Sequence, residues 1–326
     1  MIKKSLSEII QPIEIELSEF NKLFKKSLKS KVTLLELITR YIHKQKGKKI
    51  RPLLVLLSSK LSGGINERSF RGASLVELLH TATLIHDDVV DNAETRRGFP
   101  SINAVWKNKI AVLLGDYFLA RGLMLAVDGK DFDFLSVITN TVRRMSEGEL
   151  LQINKTRKLN IDEETYFRII SDKTASLLST CCEIGARAST DNEEIIGSMR
   201  MFGENLGIAF QIRDDILDFI GTKKVFGKPL GGDIKEKKIT LPLIYALKEA
   251  PEEERKSILR SIKKGAGNAE VDEVISFVKK YDGINYADSI AKEYTNRAVN
   301  NLKIFEESDS RTSLESLVAF VVERKN

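Results

Sequence analysis

The chain carries two copies of the pattern Asp-Asp-x-x-Asp, each inside an otherwise apolar stretch. They are Asp87, Asp88 and Asp91 in "LIHDDVVD", and Asp214, Asp215 and Asp218 in "FQIRDDILD". Two carboxylates ~5.5 Å apart repel each other by about 3 kcal/mol at an effective dielectric near 20. A single copy is as well explained by a solvated, acidic helix end. With 18 Asp in the chain, however, random placement gives about 0.05 such patterns per chain, so two copies indicate a function.

Carboxylates at positions i and i+4 of a helix lie ~5–6 Å apart and can share hard divalent cations, whose charge cancels the repulsion. Mg2+ is the expected ion, because it binds few protein carboxylates, keeps several waters and completes its shell with substrate phosphates. Two such sites facing each other across a cavity would bind a diphosphate between them.

Basic residues cluster beside expected turns. The segments are "HKQKGKKIRP" with Lys48 and Arg51, "RRG" with Arg96 and Arg97, "SDKTAS" with Lys173 and Thr174, and "GKPLGGDIKEKKITLP" with Lys228 and Lys238. Most lysines and arginines of any chain are simply solvated. The Arg96-Arg97 pair is different, because guanidinium groups suit bidentate oxyanion binding and these two closely follow the first acidic pattern. No GxxxxGK[ST] motif occurs, so a nucleotide is not implied.

The elements that must position these residues are helices. Apolar residues recur at three- and four-residue spacing, while alternating strand patterns are scarce. Helix-ending signals recur at "SGG", "RRGFPS", "AVDGKD" and "KYDG". We therefore predict an all-α protein of about a dozen helices, a single domain spanning residues 1–326. If residues 74–91 form one helix, His80, Leu84, Asp87 and Asp91 share a face, and Asp88 flanks it.

Composition restricts the class of protein. The formal net charge is +6, which suits nucleic acid, an anionic membrane or a polyanionic small substrate. Aromatic residues make up 7% of the chain and no nucleic-acid-binding module is recognisable, so we expect no nucleic-acid partner. The adjacent Cys181 and Cys182 suit neither a disulfide framework nor a zinc site, and indicate a reduced, cytosolic chain.

Neither the N-terminus nor the most apolar segment indicates a membrane or secreted protein. The N-terminus acquires acidic residues where a signal peptide needs an apolar run. The stretch "AVLLGDYFLARGLMLAV" contains Asp116 and Arg121, which favours a buried helix over a membrane span. We expect a soluble, cytoplasmic protein.

Taken together, these segments resemble the trans-isoprenyl diphosphate synthases, the polyprenyl synthetase family, and most of all its long-chain all-trans members. The resemblance follows the order and spacing of "GKKIRP", "ELLHTATLIHDDVVD", "RRG", "VLLGDYFLARG", "KTASL", "FQIRDDILD", "GGDIKEKKITLP" and the terminal "VVERKN". It implies an all-α bundle around a central cavity, usually in a homodimer. It also implies head-to-tail condensation of isopentenyl diphosphate with an allylic diphosphate.

The resemblance also implies roles for individual residues. Asp87, Asp88 and Asp91 would bind Mg2+ on one wall, and Asp214 on the other, with Asp215 and Asp218 less directly involved. About three Mg2+ ions would serve each active site, held by few carboxylates apiece. Isopentenyl diphosphate would contact Lys48, Arg51, His80 and Arg97. The allylic diphosphate would contact Arg96, Lys173, Lys228 and Lys238, and the side chains of Thr174 and Gln211 would turn oxygens toward the allylic carbon.

Two lysines depart from the family pattern. Lys237 replaces the glycine of the usual "EGK", although Lys238 still aligns with its lysine. Lys107 in "VWKN" stands where a glycine is common. The first departure puts the local loop geometry in question.

Small residues precede the first acidic pattern. In this family the product tail extends beside the helix that carries it, and a large side chain one turn before the pattern closes the tunnel. Here Ala82 and Thr83 occupy those positions, which predicts a long-chain product such as a quinone side-chain precursor. Phe134 and Ile138 are candidates for a deeper floor. A transient membrane-surface contact for product release is a further expectation.

Four other functions compete with this interpretation. A shorter-chain farnesyl or geranylgeranyl diphosphate synthase would share every motif. A terpene cyclase usually replaces the second acidic pattern with a mixed Asn/Ser/Glu motif. A metal phosphohydrolase of the HD type would use His86-Asp87 with His43 or His80, but leaves the second pattern unexplained. A silent subunit of a heteromeric synthase typically loses aspartates that this chain keeps.

Overall fold

The computed structural model describes residues 5–44, 49–96, 98–220, 231–265 and 267–322, with residues 321 and 322 described as backbone only. Its α-helices are α1 (Leu6–Ile10), α2 (Glu14–Ser27), α3 (Thr33–Lys44), α4 (Ile50–Ser62), α5 (Glu67–Val90), α6 (Ile102–Asp128), α7 (Phe132–Lys158), α8 (Glu163–Ile170), α9 (Ser176–Arg187), α10 (Glu193–Ile220), α11 (Gly232–Lys235), α12 (Leu241–Glu249), α13 (Glu252–Lys264), α14 (Asn268–Lys280), α15 (Gly283–Asn301) and α16 (Asp309–Val322). The all-α prediction is confirmed. The described residues hold 16 α-helices instead of about a dozen, and two of them, α1 and α11, are single short turns.

Local signals set the limits of the helices near the acidic patterns. Asn66 caps α5 by accepting from the backbone N–H of Ser69, and Ser101 caps α6 through Ala104. The predicted helix over residues 74–91 is confirmed, but it begins earlier, at Glu67, and Asp91 is its C-cap. At 1.5 Å per residue α5 is about 36 Å long.

Burial of apolar faces joins the helices into a bundle. α5 packs along α6, α4 packs along α9, and α10 lies between α9 and α15. The apolar core consists of two clusters, and α10 contributes to both: Phe202 and Leu206 to the first, Ile212 and Ile216 to the second. This continuity suits the single-domain prediction, which remains a prediction.

The segment "TRRGFP" forms a small hairpin. Strand β1 (Thr95–Arg96) pairs antiparallel with β2 (Phe99–Pro100), and Arg96 is the partner of Phe99. The predicted turn is therefore correct, and it directs Arg96 back toward the C-terminal end of α5.

The sequence predicted a turn around Lys173, but the structure has a helix there. Residues Ser171–Ala175 form a π-helical turn that joins α8 and α9 without interruption. Because a π turn accommodates an additional residue, it widens the helix locally, and such turns are frequent at functional sites.

Helix α6 differs from the buried helix that its sequence predicted. It is, among the described residues, the one helix long and apolar enough to cross a membrane, and only a third of its most apolar window is buried. Val112, Leu113, Met124 and Val127 are exposed along it. The reason is that α6 packs on α5 with one side only, and the opposite side is apolar too.

Candidate active site

The three carboxylates of the first acidic pattern have different surroundings at the end of α5. Asp88 is buried and accepts from Arg96 through both Nε and Nη2, each 2.7 Å from the same oxygen. Asp87 is half-buried, and Asp91 is exposed. Asp88 is therefore already compensated by a guanidinium, while Asp87 and Asp91 remain the accessible members of the pattern.

Burial and charges of both signs act on Asp87. Burial raises the pKa of this carboxyl; Lys173 and Arg96 lower it, whereas Glu149 and Asp91 raise it. Burial likewise raises the pKa of Asp88 despite its bond to Arg96. A raised pKa means that the carboxylate form is under-stabilised here, which is the electrostatic condition that a cation would relieve.

The second pattern, near the C-terminal end of α10, is held by neighbouring groups. Buried Asp215 accepts from the Tyr166 hydroxyl at 2.7 Å and from Gln211 Nε2 at 2.8 Å. Burial is the main reason that its pKa is raised, and the negative charges of Asp233 and Asp214 add to it. Both oxygens of Asp215 therefore accept hydrogen bonds, and these bonds connect α10 to Tyr166 on α8.

Asp218 has a structural contact as well. Its two oxygens accept from the backbone N–H groups of Gly232 and Asp233, each at 3.0 Å. Asp218 therefore anchors the start of α11. Asp214 precedes these two aspartates and is half-buried; its contact with Mg2+, which the resemblance implies, stays a prediction.

Lys173 lies on the π-helical turn and contacts polar side chains of α7. Its Nζ is 2.5 Å from Glu149 Oε2 and 3.2 Å from Gln152 Oε1, both on α7. Thr174, the next residue, donates its hydroxyl to Gln211 Oε1 at 2.9 Å. A continuous series of hydrogen bonds consequently runs from Thr174 through Gln211 to Asp215.

Arg144 of α7 fixes the π-helical turn from behind. It donates to Asp172 Oδ1 at 2.8 Å, to Ser171 Oγ at 2.9 Å and to Glu204 Oε1 on α10 at 2.9 Å. Both residues preceding Lys173 are therefore held, which restricts where the Lys173 ammonium group can lie.

The loop that bears Lys237 and Lys238 has an unusual backbone conformation at the first of these lysines. Lys237 adopts a left-handed backbone conformation with φ 59°, where a glycine would be unstrained. Its Nζ donates to the backbone oxygen of Lys263 at 3.0 Å. Burial lowers the pKa of Lys238, but Glu236, Asp233 and Asp91 outweigh it and the pKa is raised. The loop therefore keeps Lys238 charged beside both acidic patterns.

Two cavities adjoin the patterns. The first, which we call the α3–α5 cavity, has a volume of ≈ 350 Å³ and brings together Lys49, His80, Asp88 and Arg96 above an apolar wall that includes Leu84 and Phe118. The second, the α8–α10 cavity, has a volume of ≈ 110 Å³ and brings together Lys173, Thr174, Gln211, Asp215 and Lys238. Both combine cationic and acidic groups, as a site for a metal-bound anion would.

The cavities divide the predicted residues differently from the sequence analysis in two respects. His80 and Leu84 share a wall with Asp88, not with Asp87, because residues four apart on a helix lie on the same side. Arg96, expected with the allylic group, lines the same cavity as His80. Arg51 is half-buried at the start of α4. Lys48, Arg97 and Lys228 lie outside the described residues.

The residues predicted to control chain length are packed. Ala82 is 2% exposed within the core. The Thr83 hydroxyl donates to the backbone oxygen of His80 at 2.9 Å, so its methyl group is the part left for other contacts. Phe134 and Ile138 are fully buried, and Phe134 Cε2 lies 3.3 Å from where a Cβ on Gly72 would be. The open tunnel beside Ala82 stays a prediction.

Sequence reasoning missed four groups at the site: Glu149, Gln152, Tyr166 and Asp233. Glu149 and Gln152 are spaced i and i+3 in "GELLQ", so their shared helix face was a readable signal. Tyr166 had none, because a tyrosine on an amphipathic helix is indistinguishable from a core residue until its partner is known.

The donor set fits Mg2+. Within the described parts of the chain, no three His, Cys, Asp or Glu side chains converge closely enough to hold a metal ion by themselves. The carboxylates of the two acidic patterns are hard oxygen donors, which suit Mg2+, an ion that binds through one or two carboxylates and completes its shell with phosphate oxygens and water. Asp87 and Asp91 are accessible in the first pattern, and the resemblance assigns Asp214 of the second pattern to the same ion.

Comparison with known proteins agrees with this chemistry. Residues 32–279 match the family model described as Polyprenyl synthetase. The chain is 35% identical to an all-trans-nonaprenyl-diphosphate synthase (geranyl-diphosphate specific) of Rhodobacter capsulatus, covering 97% of each chain. It is 33% identical to a geranylgeranyl diphosphate synthase of Saccharolobus solfataricus, over 98% of this chain and 97% of that one.

A solved structure gives the same result for the fold. The crystal structure of a polyprenyl synthase from Caulobacter crescentus, complexed with calcium and isoprenyl diphosphate, superimposes with a TM-score of 0.92 at 30% identity, and each chain is covered in full. The HD-type phosphohydrolase is thereby excluded. Two acidic patterns, the lysines facing them and a match over most of the chain lead to one conclusion: the protein belongs to the polyprenyl synthetase family and is a prenyltransferase.

Proposed function

We propose that this prenyltransferase uses Mg2+ to condense isopentenyl diphosphate head-to-tail with an allylic diphosphate, and that it makes a long-chain all-trans product. The observation that carries the proposal is the cluster of Asp87, Glu149 and Lys173, where the Asp87 carboxylate, whose pKa burial raises, lies near Glu149 and a lysine that can face a phosphate. The relatives span geranylgeranyl to nonaprenyl products by name, so product length depends on this chain's own tunnel residues.

The basic side chains would act on the leaving diphosphate. Lys173 and Lys238 line the α8–α10 cavity, and fixed positive charges there stabilise the negative charge that develops as the allylic C–O bond breaks. Mg2+, when bound by Asp87, Asp91 and Asp214, supplies further neutralisation of that charge. Arg144 contributes indirectly, because it restrains the turn that bears Lys173.

Isopentenyl diphosphate would occupy the α3–α5 cavity. His80, Lys49 and Arg96 supply the polar end, and Leu84 and Phe118 supply an apolar wall for the five-carbon group. Its double bond then attacks the allylic cation, and holding the two reactants together supplies much of the acceleration. The released diphosphate takes the proton lost from the new chain, so no separate general base is needed.

Chain length would be governed along α5 below Asp87. Gly72, which Phe134 contacts, precedes Asp87 by 15 residues, which is about 22 Å along the helix. With about one isoprene unit per 5.4 Å turn, a tail reaching Phe134 spans roughly four units. The proposed longer products require Phe134 or Ile138 to yield, and they require the path beside the small side chains of Ala82 and Thr83 to be open.

The reaction and the length are tested together by product analysis. The purified protein is incubated with Mg2+, labelled isopentenyl diphosphate and either farnesyl or geranylgeranyl diphosphate, and the products are separated by length. A ladder beyond geranylgeranyl supports the proposal in full. A product that stops at geranylgeranyl supports the shorter-chain alternative. Loss of activity on addition of a chelator, but not on addition of buffer alone, supports metal dependence.

Substitutions locate the length control. Ala82→Tyr should shorten the product to a few isoprene units, and Phe134→Ala should lengthen it. Phe202→Ala is a matched control, because this buried phenylalanine on α10 is absent from the linings of both cavities. If Ala82→Tyr leaves the product distribution unchanged, Ala82 does not line the tunnel.

We also propose a homodimer through the exposed side of α6. Val112, Leu113, Met124 and Val127 form an apolar face larger than single scattered residues would explain, and such faces mark protein contacts. Leu113→Glu should reduce the mass measured by light scattering to that of one chain. An unchanged mass would place the contact elsewhere.

A further inference from the structure

The formal charge of this protein is concentrated in one short segment. Residues 29–49 contain seven Lys or Arg and one acidic residue, Glu36, which gives +6. The remaining residues contain 45 basic and 45 acidic side chains, so the rest of the chain is neutral. The whole net charge therefore lies in α3 and its flanks, and only the last part of that segment belongs to the substrate site.

Helix α3 has two apolar sides with different surroundings. Ile38 and Thr39 are buried, and Ile42 lines the α3–α5 cavity. Leu34 and Leu37, by contrast, are 40% and 55% exposed, and Val32 just before the helix is 55% exposed. The inner side thus belongs to the substrate cavity, while the outer side is uncovered in the described part of the chain.

The uncovered side continues onto neighbouring elements through aromatic contacts. Tyr41 packs edge-on against Phe99 of the hairpin and Trp106 of α6, with ring centroids 6.4 Å and 5.0 Å apart. Its hydroxyl donates to the backbone oxygen of Pro100 at 2.7 Å. Phe99 and Val105 are 40% and 45% exposed. Val32, Leu34, Leu37, Tyr41, Phe99 and Val105 together form what we call the α3 surface.

Basic residues border this surface. They are the exposed Lys29, Lys31, Arg40 and Lys44 beside or on α3, and the exposed Lys107 and Lys109 on α6. Glu36, the acidic residue of the segment, is paired with Arg40. An apolar patch bordered by Lys and Arg is the composition of helices that lie in the headgroup region of an anionic membrane.

We propose that the α3 surface docks on an anionic lipid bilayer, with α3 parallel to the membrane plane. The inference rests on the proposed function, since a long polyprenyl product is insoluble and must leave the protein for a bilayer. Because α3 and the hairpin also wall the α3–α5 cavity, docking would bring the site within one helix diameter of the lipid.

Charge argues against a second copy of the chain as the occupant. A two-fold contact places the same patch on both subunits, so it would set one +6 segment against another. Like charges oppose such a contact, whereas a negative surface attracts the segment. The apolar face of α6 at Met124 and Val127 lies outside the +6 segment, so it suits a second copy better.

Vesicle flotation of the full-length protein tests the proposal. One set of vesicles is phosphatidylcholine alone, and the other contains phosphatidylglycerol as well. We expect flotation with the anionic vesicles only, weakened by salt, since each basic residue near the surface contributes about fivefold to binding. No flotation, or equal flotation with both vesicles, would overturn the proposal.

Variants identify the surface. The double variant Leu34→Glu/Leu37→Glu should lose flotation, while Ile304→Glu, at a residue 49% exposed on another part of the molecule, should float as the unmodified protein does. Lys29→Gln/Lys31→Gln leaves the apolar side intact and should weaken flotation by at least tenfold, which covers the case that the leucine variant folds poorly. Retained flotation in both double variants would refute the assignment.

Two further readouts separate this proposal from the others. The leucine variant should condense substrates normally in detergent solution, where no bilayer is needed, so absence of activity in the unmodified protein would count against the proposed function and not against docking. If the leucine variant instead lowers the mass in solution and floats normally, the α3 surface is a contact between chains and the proposal is wrong.

Discussion

Replacing Lys107 with glycine should stabilise the protein. Lys107 interrupts α6 with φ 72° and ψ 159°, a region of backbone conformation open almost only to glycine, where another residue costs about 1–3 kcal/mol. Its side chain is exposed, so the substitution loses little packing. Glycine also increases the freedom of the unfolded chain, which offsets about 0.4–1 kcal/mol. The net expectation is a gain of about 1–2 kcal/mol.

Lys109 provides the matched control on the same helix. It is exposed and helical two residues later, and glycine in a helix interior costs about 1 kcal/mol relative to a good helix former. For a chain of this length 1 kcal/mol corresponds to about 1.5 °C in Tm. Lys107→Gly should therefore raise Tm by about 2–3 °C, and Lys109→Gly should lower it by about 1–2 °C.

Differential scanning calorimetry at several scan rates measures both shifts, and urea unfolding gives an independent comparison. The reasoning is refuted if Lys107→Gly melts at or below the unmodified protein, or if the two variants shift Tm in the same direction. Either result would mean that the backbone conformation of Lys107 does not destabilise the folded protein.

Three further predictions concern the site. Tyr166→Phe removes a hydroxyl donor from buried Asp215, which should cost about 1–3 kcal/mol of stability and raise the Mg2+ concentration needed for half-maximal activity, measured by metal titration. The folded-state pKa of Asp215 is raised to about 8. Its contribution to the stability of the metal-free protein is therefore present at low pH and is lost as pH rises from about 4 to 8, by up to about 1.4 kcal/mol per pH unit. Asp215→Asn should flatten this part of a Tm-against-pH profile, and an unchanged slope would contradict the prediction. A Cβ on Gly148 would lie 2.9 Å from Asp172 Cβ and 3.2 Å from Lys173 N, so Gly148→Ala should reduce kcat at least tenfold, whereas Gly197→Ala, with no atom within 4 Å of the added Cβ, should leave kcat unchanged.

The fold class and the positions of the acidic patterns were predictable from sequence because they depend on local information. Helical periodicity and capping residues act within a few positions, and the helix bearing Asp87 was recognisable from them. The spacing of three aspartates within one helix likewise needs no knowledge of the rest of the chain.

What could not be predicted depends on contacts between distant segments. Asp87 and Asp215 belong to identical patterns, yet Asp215 is held by Tyr166, 49 residues earlier, and among the described residues no such hydrogen bond is seen for Asp87. The exposure of α6 was also unpredictable, since an apolar helix looks the same whether a core, a membrane or a second protein covers its outer side. Lys237 is a case in which the fold overrides a local preference. Its residue type disfavours the left-handed conformation, yet Lys237 adopts it in the folded protein.

The π-helical turn at Ser171–Ala175 makes the site sensitive to the number of residues and not only to their identity. Each residue rotates a helix by about 100°, so deleting one residue here would restore a regular helix and turn the α8 side chains by that angle relative to those of α9. Tyr166 would then face away from Asp215, and Lys173 away from Glu149, although no residue in contact with either had been replaced. A substitution in this segment perturbs one contact, whereas a change of length by one residue separates the two halves of the site.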